Sequence, residues 1–172
     1  MKRKNVVILA AVFVLLLICT IWMLKPADIE TETYQFLLKN GFSPIQASGI
    51  MASIKMNSNF DPTATAPNDL GYGLLQWTYI RFERLEKFSK EIGKPINDAE
   101  TQLLFMMEEL NPESEYYIPF KSYMEYKWDD FENAKNPKEA AENFMMVYTA
   151  PYKLNEQVLD KLAEEFYQQY AN

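Results

Sequence analysis

The feature that most constrains this chain is a run of 19 uncharged, largely apolar residues at positions 6–24. As an α helix the run would be about 28 Å long, close to the thickness of a bilayer's hydrocarbon core. Lys2, Arg3 and Lys4 precede it, and basic residues beside a membrane span stay on the cytoplasmic side. The sequence therefore predicts a transmembrane signal anchor, with the rest of the chain outside the cell.

The anchor divides the chain into four predicted parts. They are a cytoplasmic basic tail at 1–5, the transmembrane anchor at 6–24, a linker at 25–30 and one domain at 31–172. Cleavage of the apolar segment as a signal peptide is the alternative, but no small-x-small cleavage site precedes Lys25. A lipoprotein signal is disfavoured because Ile18, rather than a small residue, precedes Cys19.

The charge of the outer part excludes one class of partner. Of the 17 Lys and Arg residues four lie at or before position 25, which leaves 13 basic residues against 24 acidic ones. Binding to a phosphate backbone requires clustered positive charge, so we do not expect a nucleic-acid partner. The same acidity opposes loose adhesion to anionic polymers or lipid headgroups.

The scarcity of His and Cys limits the catalytic and metal-binding chemistry that is open to the chain. The chain has no His, and its one Cys, Cys19, lies inside the apolar run. This excludes disulfides within the chain, metal sites with His ligands, and nucleophilic catalysis by Ser-His or Cys-His pairs. Any hydrolysis would have to depend on carboxylates, and we expect neither a cofactor nor a metal.

Beyond residue 30 the sequence shows helical signals and no convincing hairpin. Ser43 and Gln46 form a capping box, Thr78 and Asn136 are further N-cap candidates, and Asn97-Asp98 opens another helix. The fold class is therefore predicted to be all-α. Helices are expected at about 31–40, 44–57, 79–92, 97–111, 136–150 and 154–166, with 58–77 as a long functional loop and 113–134 unassigned.

Three stretches carry a resemblance to a known family. They are 47–62 (ASGIMASIKMNSNFDP), 71–78 (GYGLLQWT, followed by Arg81 and Leu85) and 102–111 (QLLFMMEELN). In this order they resemble the phage tail lysozyme family, a branch of the lysozyme-like fold. The resemblance covers about residues 31–152 and implies a lysozyme-like helical domain directed at the glycan strands of peptidoglycan.

The GYGLLQWT segment is the most specific of the three. Gly71 and Gly73 allow a tight turn, Gln76 can hydrogen-bond a sugar, and Trp77 offers a flat face for a pyranose ring. The structural alternative is that Leu74, Leu75 and Trp77 belong to the core. With the resemblance, a carbohydrate groove is favoured, and the predicted substrate-binding residues are Asn57, Tyr72, Gly73, Gln76, Trp77 and Tyr148.

The chain departs from the family pattern at the position of its catalytic acid. Glycosidic cleavage needs a carboxylic acid that protonates the leaving oxygen. The resemblance places that family Glu at Asn57, and an amide has no proton to transfer. A second charged pair is missing at Thr149-Ala150. We therefore predict no catalytic residue, and an enzyme scaffold that has become inactive.

Three other carboxylates lie close enough in the sequence to be candidate replacements for the acid. Asp69 lies in the loop before GYGLLQWT and is the alternative acid, whereas Asp61 is expected to cap a turn and Glu83 to face solvent. For each of them the structural interpretation is favoured over a catalytic one.

Three functions are compatible with these observations. The first is a membrane-anchored, extracellular lysozyme-like module of a Gram-positive envelope that binds peptidoglycan without cleaving it. The second is an active muramidase or lytic transglycosylase that uses Asp69 or another displaced acid. The third is a protein-interaction module of an envelope or conjugation-like assembly, with part of its surface formed by Tyr116, Tyr117, Tyr123 and Tyr126.

Overall fold

A computed structural model describes residues 28–66, 71–151 and 153–171 of the chain. The predicted tail, the anchor at 6–24 and the first half of the linker lie outside the described residues, and so does Asp69. Within the described ranges, no helix combines the length and the apolar character that a membrane crossing requires.

The described part is mostly helical, in agreement with the predicted all-α class. In chain order its elements are α1 (Ile29–Lys39), α2 (Pro44–Ser58), α3 (Tyr79–Glu91), α4 (Ala99–Leu110), β1 (Ser122–Tyr123), β2 (Tyr126–Lys127), α5 (Trp128–Glu132), α6 (Pro137–Phe144), a π-helical turn (Met145–Thr149) and α7 (Glu156–Tyr170).

Helix α2 forms the centre of the domain and packs against α1, α6 and α7. Its start is the predicted capping box, in which Ser43 Oγ accepts from Gln46 N while Ser43 N donates to Gln46 Oε1. Residues 47–54 are all buried, so the helix is covered on every side. At Gly49 an added Cβ would lie 2.7 Å from Ala141 N, which shows how closely α2 and α6 approach.

The other predicted helix starts are confirmed with one exception. Asp98 accepts from Thr101 N at the start of α4, and Asn136 accepts from Glu139 N at the start of α6. Thr78 precedes α3 as predicted, but its side chain makes no capping hydrogen bond. In α7 the buried residues are Leu159, Ala163 and Phe166, whereas Val158, which we expected on the apolar stripe, is exposed.

The expectation that the domain contains no hairpin is wrong. Strands β1 and β2 form an antiparallel hairpin inside the unassigned stretch, with Tyr123 paired to Tyr126. Each strand has only two residues, too few for an alternating pattern to be visible in the sequence. The hairpin tip also lacks the glycine that commonly marks such a turn in a sequence. Met124 takes the left-handed conformation there, with φ +54°.

The tyrosines considered as an interaction surface do not form a common exposed patch. Tyr116 is buried among Phe88 and Phe105, and its hydroxyl donates to Glu91. Tyr126 is half-buried and donates to Glu156, while Tyr117 and Tyr123 are exposed. At least Tyr116 therefore serves the core.

Candidate functional site

A cleft of about 490 Å³ lies where the end of α2 meets the GYGLLQWT loop and the π-helical turn. Its lining contains amides, hydroxyls and apolar groups, and among the described residues it includes no carboxylate and no basic side chain. The lining residues are Met56, Asn57, Thr65, Ala66, Gly71, Leu75, Gln76, Thr78, Thr149, Ala150 and Pro151.

Asn57, the position that the resemblance gives to the catalytic acid, lies on the last turn of α2 and is half-buried. Its Nδ2 is 3.6 Å from Met145 Sδ at the start of the π-helical turn. Thr149 and Ala150, the second departure from the family pattern, line the same cleft. The two stretches that depart from the resemblance therefore contribute to the same cleft.

The GYGLLQWT loop is held in place by two glutamine side chains. The buried Gln102 of α4 accepts from Leu74 N with Oε1 and donates through Nε2 to the carbonyls of Pro62 and Ile96. Gln76 donates to the carbonyls of Gly73 and Ala64, at 2.8 and 3.2 Å. Gln76 is therefore both a wall of the cleft and a brace of the loop.

Gly73 is required by the packing of this loop. Its φ is +75°, and an added Cβ would fall 2.7 Å from both Cδ and Nε2 of Gln102. Gly73 is buried and does not line the cleft, so its role is to let the loop pack against α4. This position differs from the predicted role of Gly73 as a substrate-binding residue.

Three further predicted binding residues lie away from the cleft lining. Trp77 and Tyr148 are each 1% exposed, so their rings belong to the core and offer no face to a sugar. Tyr72 is half-buried and packs edge to face on Phe82. The position of Trp77 agrees with the structural alternative, in which its ring belongs to the core. None of the three residues lines the cleft.

Trp77 and Tyr148 share a buried hydrogen-bond partner, Glu109, for which the sequence motifs predicted no role. Glu109 is fully buried and accepts hydrogen bonds from Trp77 Nε1 at 2.9 Å and from the Tyr148 hydroxyl. Arg81 adds a two-pronged ion pair, with Nε and Nη2 at 2.8 and 2.7 Å from the two carboxylate oxygens. The signal was present in the sequence, since Arg81 and Glu109 both belong to the stretches that resemble the family.

We call this network of Trp77, Arg81, Glu109 and Tyr148 the Glu109 cluster. It joins two segments that line the cleft, the GYGLLQWT loop and the π-helical turn, to α3 and α4. Arg81 Nη1 also donates to the Tyr148 carbonyl at 2.9 Å, so α3 is tied directly to the π-helical turn. Burial, followed by the nearby charge of Glu109, raises the pKa of the Tyr148 hydroxyl well above its usual value. Tyr148 therefore stays a hydrogen-bond donor at neutral pH.

No described carboxylate lines the cleft. Glu109 is enclosed by four donors from Trp77, Arg81 and Tyr148, and it does not line the cleft. Asp61 accepts from the Thr63 hydroxyl and backbone N–H, which lower the pKa of its carboxyl. Glu83 lies on the exposed face of α3, as expected.

The described residues also contain no group of three or more acidic or cysteine side chains arranged to hold a metal ion. The chemistry that the cleft offers is therefore hydrogen bonding by neutral amides and hydroxyls beside apolar walls. Such a surface suits an uncharged polar ligand with apolar faces.

Comparison with known proteins agrees with the motifs. The sequence model of a family described as phage tail lysozyme matches residues 28–170, a wider range than the motifs alone covered. A search of curated proteins gave no match to the chain.

Proposed function

The chain belongs to the phage tail lysozyme family, and from that premise we propose that it binds peptidoglycan glycan strands in its cleft without cleaving them. Family membership makes the function lysozyme-like and directed at peptidoglycan. The loss of cleavage is the finer part of the proposal.

The observation that carries this proposal is the neutral lining of the cleft. Asn57 stands where the resemblance places the general acid, and no described carboxylate lines the cleft with it. Amides such as Asn57 and Gln76 can hydrogen-bond hydroxyl and acetamido groups, but they cannot protonate a leaving oxygen. Loss of general-acid help lowers a rate by roughly 10²–10⁴.

Restoring the acid tests the proposal. We expect the full chain, purified in a mild detergent, to sediment with isolated cell walls without releasing soluble glycan. An Asn57→Glu variant should gain hydrolysis of at least about 100-fold over the unmodified chain. The neighbouring Met56, Leu75 and Met145 provide an apolar setting, which favours the protonated form that an acid catalyst needs.

An Asn57→Gln variant is the matched control, because it has the length of Glu without an ionisable proton. Hydrolysis gained by Asn57→Glu alone supports a preserved cleft that lacks its acid. Hydrolysis by the unmodified chain would contradict the proposal, and its loss in Asp69→Asn would then assign the reaction to Asp69. Failure of the unmodified chain and both variants to bind walls would favour the interaction-module hypothesis.

We further propose that residues 6–24 retain the domain at the outer face of a cell membrane. The length of the apolar run and the preceding basic residues support this location. A Gram-positive envelope, in which peptidoglycan faces the membrane directly, fits such a placement. Only the short linker at 25–30 would then separate the domain that carries the cleft from the lipid surface.

A further inference from the structure

Two large apolar side chains are exposed directly beside the cleft. Tyr79 and Ile80 follow Thr78, which lines the cleft, and they are 72% and 63% exposed. Tyr79 is the first residue of α3, and neither side chain belongs to the core. Adjacent exposed apolar groups at the edge of a cleft are a feature of binding surfaces.

The Glu109 cluster explains why these two residues face outward. Trp77 and Arg81 both donate to Glu109, so the chain is held to one buried carboxylate at either end of the segment 78–80. The Thr78 carbonyl accepts from Arg81 N and starts the helix within this short span. Because both ends are held inward, the residues between them turn toward solvent.

The backbone of Tyr79 shows that the fold does not favour a tyrosine there. Its φ is +45°, in the left-handed region where glycine is unstrained and a side chain with a Cβ is not. The ring gains little burial in return, since it is mostly exposed. Its ring is therefore open to contact with a ligand.

We propose that Tyr79, with Ile80 beside it, extends the cleft as a platform for the next sugar ring of a bound polysaccharide. The inference rests on the proposed function and names a binding surface different from Trp77, whose ring is buried. A tyrosine ring presents a flat apolar face with a polar edge, which suits a pyranose ring. Tyr79 directly follows Thr78, which lines the cleft, so a bound polysaccharide that extends past Thr78 would meet this ring.

Glycine substitution separates binding from folding at this position. Tyr79→Gly removes the ring and also relieves the left-handed backbone, so the variant should fold at least as well as the unmodified chain. Met124→Gly is the matched control, because Met124 is 73% exposed, has φ +54° and lies at the hairpin tip. Tyr79→Trp keeps an aromatic platform.

The measurement is binding of the full chain in detergent to peptide-free glycan strands, by titration calorimetry, with thermal unfolding as the check on folding. We expect Tyr79→Gly to bind about tenfold more weakly and to keep its unfolding temperature. Met124→Gly and Tyr79→Trp should bind as the unmodified chain does. Unchanged binding by Tyr79→Gly would overturn the platform while leaving the proposed function intact. Absence of binding by the unmodified chain would overturn both.

Discussion

Gly73 shows how a single residue can control the shape of the cleft without touching a ligand. Its left-handed backbone and its contact with Gln102 allow Leu74 N to reach the Gln102 side-chain oxygen at 2.8 Å. The same amide holds the carbonyls of Pro62 and Ile96. The loop 71–78 and the backbone at Pro62 and Ile96 therefore depend on one buried side chain, whose polar atoms are all satisfied.

We expect Gly73→Ala to lower the free energy of unfolding by roughly 2–4 kcal/mol, because it combines a strained φ with a clash against Gln102. Gly41→Ala is the control, since Gly41 also has a positive φ but nothing within 4 Å of an added Cβ. That variant should lose only about 1 kcal/mol. Chemical denaturation measures both, and equal losses would contradict the role assigned to Gln102.

At the scale of elements, Glu109 links three parts of the chain that are distant in sequence. It joins Trp77 of the loop, Arg81 of α3 and Tyr148 of the π-helical turn to α4. π-Helical turns are rare and often occur at functional sites. Here the turn carries Tyr148 inward to the Glu109 cluster and Thr149 outward to the cleft.

We expect Glu109→Gln to lower the free energy of unfolding by about 3–5 kcal/mol, because the partly buried Arg81 guanidinium would lose its buried counter-charge. Glu100→Gln is the control, since Glu100 pairs with Lys94 on the surface. Exposed pairs of this kind contribute about 1 kcal/mol or less. Comparable losses for the two variants in urea unfolding would show that the Glu109 pair does not hold the domain together.

At the scale of the whole molecule, the predicted anchor and the acidic domain determine where the cleft can act. Residues 26–172 contain 24 acidic and 13 basic residues, so the domain would be repelled by anionic headgroups. The proposed anchor would keep it near the membrane despite this repulsion. Binding to a neutral glycan through a cleft whose described lining is uncharged would avoid the same electrostatic cost.

This arrangement predicts the outcome of a protease experiment on intact cells whose wall has been removed. Protease added from outside should degrade the domain, while a cytoplasmic marker protein stays intact. A variant with Lys2, Arg3 and Lys4 changed to Glu should be less accessible to the protease, because these charges set the orientation. Full protection of the unmodified chain would refute the outward orientation.

Local signals in the sequence were sufficient for most of the helices and for the family. The capping box at Ser43 and the N-caps at Asp98 and Asn136 depend on side chains within three residues of the backbone groups they satisfy. For this reason they can be read without a fold. The family assignment likewise came from contiguous stretches.

The tertiary structure decided which of the motif residues line the cleft. Trp77 and Tyr148 look like binding residues in the sequence, but their polar atoms both find Glu109, and their rings complete the core. The sequence motifs did not indicate Tyr79 as a binding residue. In the fold its ring is exposed beside the cleft. The physical reason is that burial depends on partners far along the chain, and a local pattern does not contain them.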